Sequence, residues 1–339
     1  MSLDYEIYDL GDVKLQKGAT LRDCKLAFKT FGTLNAAKDN VIVYPCWYSG
    51  THLENEWLIG SGMALDPEKY FIIIPNMFGN GLSTSASNTP VPFNGSRFPK
   101  ITAYDNVVQQ HRLVTEKFGI SKVKLVTGWS MGALQTFHWG AIFPDMVERI
   151  LPFQGSAKCS RHNFVFLEGV KAALQADAAF MDGFYTEQPA KGLRAAARVY
   201  AGWGLSQTFY RVEGDLKQMG YASLEDFLVG FWEGWLLSKD ANNLLTMLWT
   251  WQNGDISNNP IYKGDYPKAL AGIKAKAIVM PASTDLYFPP EDSAIEVKHM
   301  PNAELRVVET YWGHFAGGPG TSPDDIKVID AALKELLAS

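Results

Sequence analysis

The stretch VKLVTGWSMGALQTFHWG, residues 123–140, passes from a β-branched, apolar run into a helical pattern across one serine set between glycines. Gly128-Trp129-Ser130-Met131-Gly132 fits the pattern G-x-S-x-G. A strand that becomes a helix within a few residues crowds its own backbone, so a side chain at either glycine would clash. The serine at the apex is then pushed into a strained conformation, with its hydroxyl presented above the sheet. It also sits at a helix N-terminus, where free N–H groups and the helix dipole favour negative charge. That is useful beside a forming oxyanion. Glycine and serine are common in turns, so the pattern acquires meaning only if the rest of the chain supplies what a nucleophilic serine needs.

The surrounding runs predict the architecture. Residues 1 to 34 carry short alternating stretches, DVKLQKG and KLAFKTFG, that read as an antiparallel start to a sheet. Continuous apolar runs follow: NVIVYP at 40–45, YFIIIPN at 70–76, VKLVTG at 123–128, RILPFQ at 149–154, KAIVMPA at 276–282 and ELRVVET at 304–310. Runs that do not alternate predict strands buried on both faces, as in a parallel sheet. Between them ITAYDNVVQQHRLVTEKFGI opens with Thr102 and Asp105 in a capping arrangement. It places Val107, His111, Val114 and Phe118 at helical spacing before Gly119. The fold class is therefore α/β, a mostly parallel central sheet with helices on both faces. From 155 to 265 the rhythm breaks and no strand is predicted. Phe227, Phe231 and Trp235 recur every four residues beside Leu228, Trp232 and Leu236. This segment is expected to be a helical lid insertion over the carboxyl ends of the strands. It divides a core of residues 1–154 and 266–339. Most of its aromatic residues are expected in the core, with a few at a pocket mouth.

A serine hydroxyl needs a base in hydrogen-bond reach, and the base needs a group that holds its tautomer and stabilises its charged form. On an elbow of this kind the chain order is Ser, then Asp or Glu, then His. Only His138, His162, His299 and His314 follow Ser130. His138 lies two turns along the elbow helix and cannot reach back. His162 begins the insertion, before any later strand could supply an acid. His299 sits in the polar segment VKHMPNAE and is expected at the surface. His314 follows the final strand in VVETYWGHFAGG, where a loop with Gly313 can aim an imidazole. The acid should follow the preceding strand. Asp285 in KAIVMPASTDLYFPPED stands in the turn past it, and Asp292 is the competitor, better placed to cap a helix. The oxyanion donors are expected to be the N–H of Met131 and that of Tyr48, with Trp47 as the alternative, in the loop CWYSGTH. Cys46 reads as a packed residue under that loop. FGNGLSTSASN lacks both G-K-[ST] and G-x-G-x-x-G, so Asn76 to Asn88 reads as a polar active-site loop rather than a phosphate site.

Composition narrows the partners. The net charge of −5 without a Lys/Arg run argues against nucleic acid. Apolar runs such as YFIII are strand-length, so no membrane partner is expected. Three scattered cysteines, an odd count, argue against a disulfide framework. The acidic start MSLDYEIYDLGD lacks the apolar stretch of a signal peptide, so a cytoplasmic location is expected. No metal-ligand spacing is present, and neither metal nor cofactor is expected. A homodimer is compatible with all of this.

Together LAFKTFGTLNAAKDNVIVYP, DNVVQQHRLVTEKFGI, GWSMGALQTFHWGAIFPDMVERI and STDLYFPPED resemble the homoserine O-acetyltransferase family of α/β-hydrolase-fold proteins. The resemblance spans nearly the whole chain and is weakest in the insertion. It implies a nucleophile at Ser130, an acid at Asp285, a base at His314, and ping-pong acyl transfer through an acyl-serine under a helical lid. Two departures matter. That family usually carries Gly-His-Asp near the C-terminus, and the acid helps to hold the substrate amine; here Phe315 follows His314. Its elbow usually reads G-G-S-M-G-G, and here Trp129 and Ala133 replace two glycines. A buried ammonium without a partner is costly. Phe315, Trp129, Trp47 and Tyr48 instead imply an apolar acceptor site, and an acyl-serine can be discharged by water. The expected activity is a serine-dependent carboxylic ester hydrolase acting on short-chain acyl, chiefly acetyl, esters. The alternatives are homoserine O-acetyl transfer with acetyl-CoA as acyl donor, a cofactor-free oxygenase, and a non-catalytic binding protein on the same fold.

Overall fold

The computed structural model of the chain describes residues 3–339; Met1 and Ser2 of the acidic N-terminal stretch lie outside the described residues. Eight strands form one sheet: β1 (Glu6–Lys14), β2 (Thr20–Phe31), β3 (Val41–Val43), β4 (Phe71–Pro75), β5 (Leu125–Trp129), β6 (Arg149–Phe153), β7 (Lys276–Val279) and β8 (Ala303–Leu305). Their spatial order is β1-β2-β4-β3-β5-β6-β7-β8. β1 pairs antiparallel with β2, and β2 antiparallel with β4; every later pairing is parallel. The mostly parallel sheet expected from the apolar runs is present.

The runs do not alternate because both faces of the sheet are covered. In β4 Ile72 and Ile74 join one apolar layer, while Phe71 and Ile73 join the other. On one side lie α1 (Ala103–Arg112) and most of α2 (Met131–Ile142), whose Val107, Phe137 and Trp139 are fully buried. Thr102 caps α1 through the reciprocal bond with Asp105 that the sequence signals, and Gly119 follows at a φ of 63°. The predicted strand at 304–310 is shorter than its apolar run. After Val279 the partner strand reaches Pro281, which has no N–H to donate. Beyond the strand, the Arg306 N–H to Val279, the Val308 N–H to Pro281 and the Ser283 N–H to Val308 continue the contact as isolated bonds.

Between β6 and β7 the chain is helical. It contains α3 (Arg161–Gln175), α4 (Ala190–Gly204), α5 (Gln207–Arg211), α6 (Gly214–Lys217), α7 (Leu224–Phe227), α8 (Gly234–Leu237) and α9 (Ala241–Gln252). A π-helical turn over Leu228–Glu233 separates α7 from α8, and it shifts the four-residue aromatic repeat. Phe227 and Trp232 are fully buried, while Phe231 and Trp235 are left half-buried. The chain closes with α10 (Tyr266–Ala271), α11 (Pro290–Val297) and α12 (Pro323–Ala338), the last packing Ile329, Leu333 and Leu336 into the second apolar layer.

One buried acid ties α11 to the loop that leaves β6. Glu296 Oε1 accepts the Ala157 N–H at 2.7 Å and the Tyr266 hydroxyl at 2.8 Å. Burial pushes this carboxyl up to about 8, against the opposing pull of those two donors. The folded chain therefore holds a proton that the unfolded chain releases near the ordinary 4.5. The stability from this group is full below the unfolded value and is lost as pH rises through the folded one. Glu296→Gln keeps an acceptor for both donors and removes the ionisation. In thermal melts the wild type should lose stability relative to this variant as pH rises from about 5 to about 8. A difference that stays constant over that window would contradict the assignment.

Candidate active site

The turn from β5 into α2 is held by three close approaches. A Cβ on Gly128 would lie 2.5 Å from the Gly132 carbonyl, and one on Gly132 would lie 2.6 Å from the Pro45 oxygen. The third glycine is Gly155, after β6, whose Cβ would meet the Ala133 Cβ at 2.4 Å and the Ser130 oxygen at 2.6 Å. Sequence reasoning missed it, because nothing local to Gly155 points at the elbow. With the backbone this tight, Ser130 takes φ 58° and ψ −123°. Such a conformation costs about 1–3 kcal/mol and persists only when its surroundings over-determine it.

Three side chains meet in a row at this turn. His314 Nε2 lies 2.9 Å from Ser130 Oγ, and His314 Nδ1 lies 2.8 Å from Asp285 Oδ2. The other carboxylate oxygen, Oδ1, accepts the Tyr287 N–H at 2.8 Å and the Phe288 N–H at 3.2 Å. The carboxylate can only accept, so the imidazole proton sits on Nδ1 and Nε2 is free to take the serine proton. All three residues are 3% exposed. Gly313 at φ 62° brings the histidine round, and its N–H donates to Thr284 at 3.1 Å. Trp129 braces the imidazole from the side. Its indole N–H donates to the His314 carbonyl at 3.1 Å, and its ring stacks on the imidazole at 4.8 Å.

The other candidates stand elsewhere. His138 is buried against the Leu134 carbonyl at 2.8 Å, and burial pushes its imidazole down to about 4. His162 packs on Trp203, and His299 is exposed. Asp292 lies in the first turn of α11 but makes no capping bond; Pro289 occupies the cap position, so the capping role expected for Asp292 is corrected.

The loop after β3 leans on the start of α2, where Gln135 donates to the Cys46 carbonyl at 2.8 Å. Trp47 to Gly50 form a turn closed by a 3.1 Å bond. Among the described residues, the N–H groups of Met131, Trp47 and Tyr48 enter none of the bonds that hold the elbow and this loop. Cys46 is fully buried, as expected of a packed residue. The Asn76 to Asn88 segment is corrected: it does not line the pocket but props this loop from behind. Asn76 Oδ1 accepts the His52 N–H at 3.0 Å, and Asn80 Nδ2 donates to the Gly50 carbonyl at 3.2 Å. The chemical reason is that its amides are spent on the turn of the neighbouring loop and on one another.

Ser130 and His314 open into a cavity of about 230 Å³, walled by Trp47, Tyr48, Trp129 and Phe315 and closed over by Tyr200 and Trp235. Tyr200, Tyr221, Gly230 and Pro319 also face it, and no local pattern singles them out. Its one carboxylate is Glu54. Burial pushes that carboxyl up, but the Thr51 hydroxyl and Lys239 outweigh it and leave it below its ordinary range. Among the described residues no group of His, Cys, Asp and Glu is placed to hold a metal ion, and no helix is long and apolar enough to cross a membrane.

Comparison with known proteins gives consistent kinships. Residues 39–320 match the alpha/beta hydrolase fold family. The chain is 43% identical to the ethyl acetate hydrolase of Pseudomonas veronii, over 99% of this chain and 96% of that one. The crystal structure of an acetylester hydrolase from Corynebacterium glutamicum superposes with a TM-score of 0.95 at 42% identity, covering 99% of this chain and 96% of that one. More distantly, the homoserine O-acetyltransferase of Chlorobium chlorochromatii is 31% identical over 88% of this chain and 87% of that one.

The contact of Gly155 with Ser130 is directly testable. Gly155→Ala overpacks the elbow and should cost about 1–3 kcal/mol of stability. A displaced serine hydroxyl should react with a fluorophosphonate up to about 10²-fold more slowly. Unchanged melting and labelling would show that the elbow tolerates the methyl group.

Proposed function

The chain belongs to the alpha/beta hydrolase fold family, and from that footing we propose that it hydrolyses carboxylic esters of short acyl groups, acetate foremost, through an acyl-serine on Ser130. The observation that carries this reading is the row Asp285–His314–Ser130 at the floor of an aromatic cavity. His314 takes the Ser130 proton through Nε2 as the oxygen attacks the ester carbonyl. Asp285 fixes the tautomer and stabilises the imidazolium. The Met131 N–H and the N–H of Tyr48, or of Trp47, receive the oxyanion; one such donor contributes about 10²–10³ in rate. Collapse expels the alcohol with the proton from His314. Water then attacks the acyl-serine by the same steps and releases the acid.

The aromatic walls favour a neutral alcohol portion. Phe315 offers no charge-assisted bond to an ammonium, a contact worth about 1.5–3 kcal/mol, and the Glu54 carboxylate is already engaged by Lys239 at 3.0 Å. The helical segment 155–265 acts as a lid on the core of residues 1–154 and 266–339. No cofactor takes part. The three free cysteines suit a reducing compartment, and the cytoplasm is the proposed location.

The deciding experiment follows acetate release from ethyl acetate, and O-acetylhomoserine formation from acetyl-CoA, in one preparation. A higher kcat/KM for the ester is expected; the reverse would make the protein a homoserine acetyltransferase. Ser130→Ala should cut hydrolysis by about 10⁴–10⁶ and abolish fluorophosphonate labelling. A wild type that neither labels nor hydrolyses would be a binding protein. Asp285→Asn, which favours the wrong tautomer, should lower kcat by about 10⁴. Asp292→Asn should leave it near wild type, and equal losses in the two variants would move the acid role away from Asp285.

A further inference from the structure

The turn Trp47–Gly50 is held in an unusual backbone state by a residue from the helical segment. Its third residue, Ser49, sits at φ 63°. That region at this turn position normally calls for glycine or asparagine. Ser49 is 1% exposed, and its Oγ accepts the indole N–H of Trp235, on α8, at 2.9 Å. The ring of Tyr48, one residue earlier, is packed against three rings of the same helical segment: Tyr200 at 6.0 Å, Trp235 at 6.4 Å and Trp251 at 5.7 Å. A second polar tie lies at the far end of the loop, where Lys239 meets Glu54 at 3.0 Å. Glu54 in turn accepts the Thr51 N–H at 2.8 Å.

We infer that Trp235 is a positioning residue: its bond to Ser49 holds the left-handed turn that aims the loop's oxyanion donor, so the active site is assembled only while the helical segment is docked. This rests on the ester-hydrolase reading and assigns to the segment more than the covering of a pocket. Ser49 can relax to the common right-handed turn once the indole bond is lost, and that rotation reorients the peptide beside Tyr48. Ground-state binding depends on the aromatic walls, whereas the turn matters when charge develops on the carbonyl oxygen.

Steady-state hydrolysis of phenyl acetate by five variants tests this. Trp235→Phe and Ser49→Ala should each lower kcat by about 10- to 100-fold with KM changed far less. The double variant should lose no more than either single one, because both remove the same bond. Ser49→Gly tolerates positive φ without the bond, so it should recover most of the kcat that Ser49→Ala loses, and Trp235→Phe should lower kcat no further in its background. Losses that multiply in the double variant, effects confined to KM, or a Ser49→Gly as impaired as Ser49→Ala would overturn the inference while leaving the hydrolase reading intact. A wild type that hydrolyses no ester overturns both.

Discussion

Everything in the site depends on how closely three backbones approach one another at Ser130. Gly128 and Gly132 meet across the elbow, Gly132 meets the loop after β3, and Gly155 meets the elbow from β6. Each is a place where a single methyl group would not fit. Together they leave Ser130 only its strained left-handed state. Strain of this kind has to be imposed from outside, and here the imposing elements are adjacent strands of a parallel sheet. The sheet thus fixes the one atom whose position the chemistry cannot compromise.

Around that fixed atom the remaining groups are held by bonds with little freedom. Asp285 is set by two backbone N–H groups, and the imidazole is gripped between Asp285, Ser130 and the face of Trp129. Trp129 therefore has two roles. It walls the cavity, and its indole N–H anchors the loop that carries His314. A glycine at this position could do neither. The loop opposite is clamped from two sides, by Asn76 and Asn80 behind it and by Trp235 and Lys239 in front.

Much of this was legible in the chain. The unalternating runs marked strands buried on both faces, because a residue covered on either side has no reason to be polar. The order of Ser130, Asp285 and His314 along the chain followed from strands that each end in a loop at the same edge of the sheet. The Thr102 cap could be read because a capping box is local, three residues across. Where reading failed, distance in the chain was the reason. Asn76 to Asn88 looked like a site loop because it is polar and follows a strand, but where its amides point is set by the neighbouring loop. Strand ends were misjudged at β8, since an apolar run continues after its partner has lost its N–H at Pro281.

The division between sequence and tertiary structure follows the range of the forces. Local sterics, helix capping and the two-sided burial of strands are written in neighbouring residues, and they specified the sheet, the elbow serine, and the Asp285 and His314 that meet it. The cavity was decided only by packing. Tyr200, Tyr221 and Trp235 come from the helical segment and Pro319 from the loop before α12; the aromatic pattern places a few rings of that segment at a pocket mouth, but only packing decides which of them face Ser130. Gly155 is the clearest case. Its missing side chain matters because of Ser130 and Ala133, more than twenty residues away, and a close approach between backbones exists only once both strands are in the sheet.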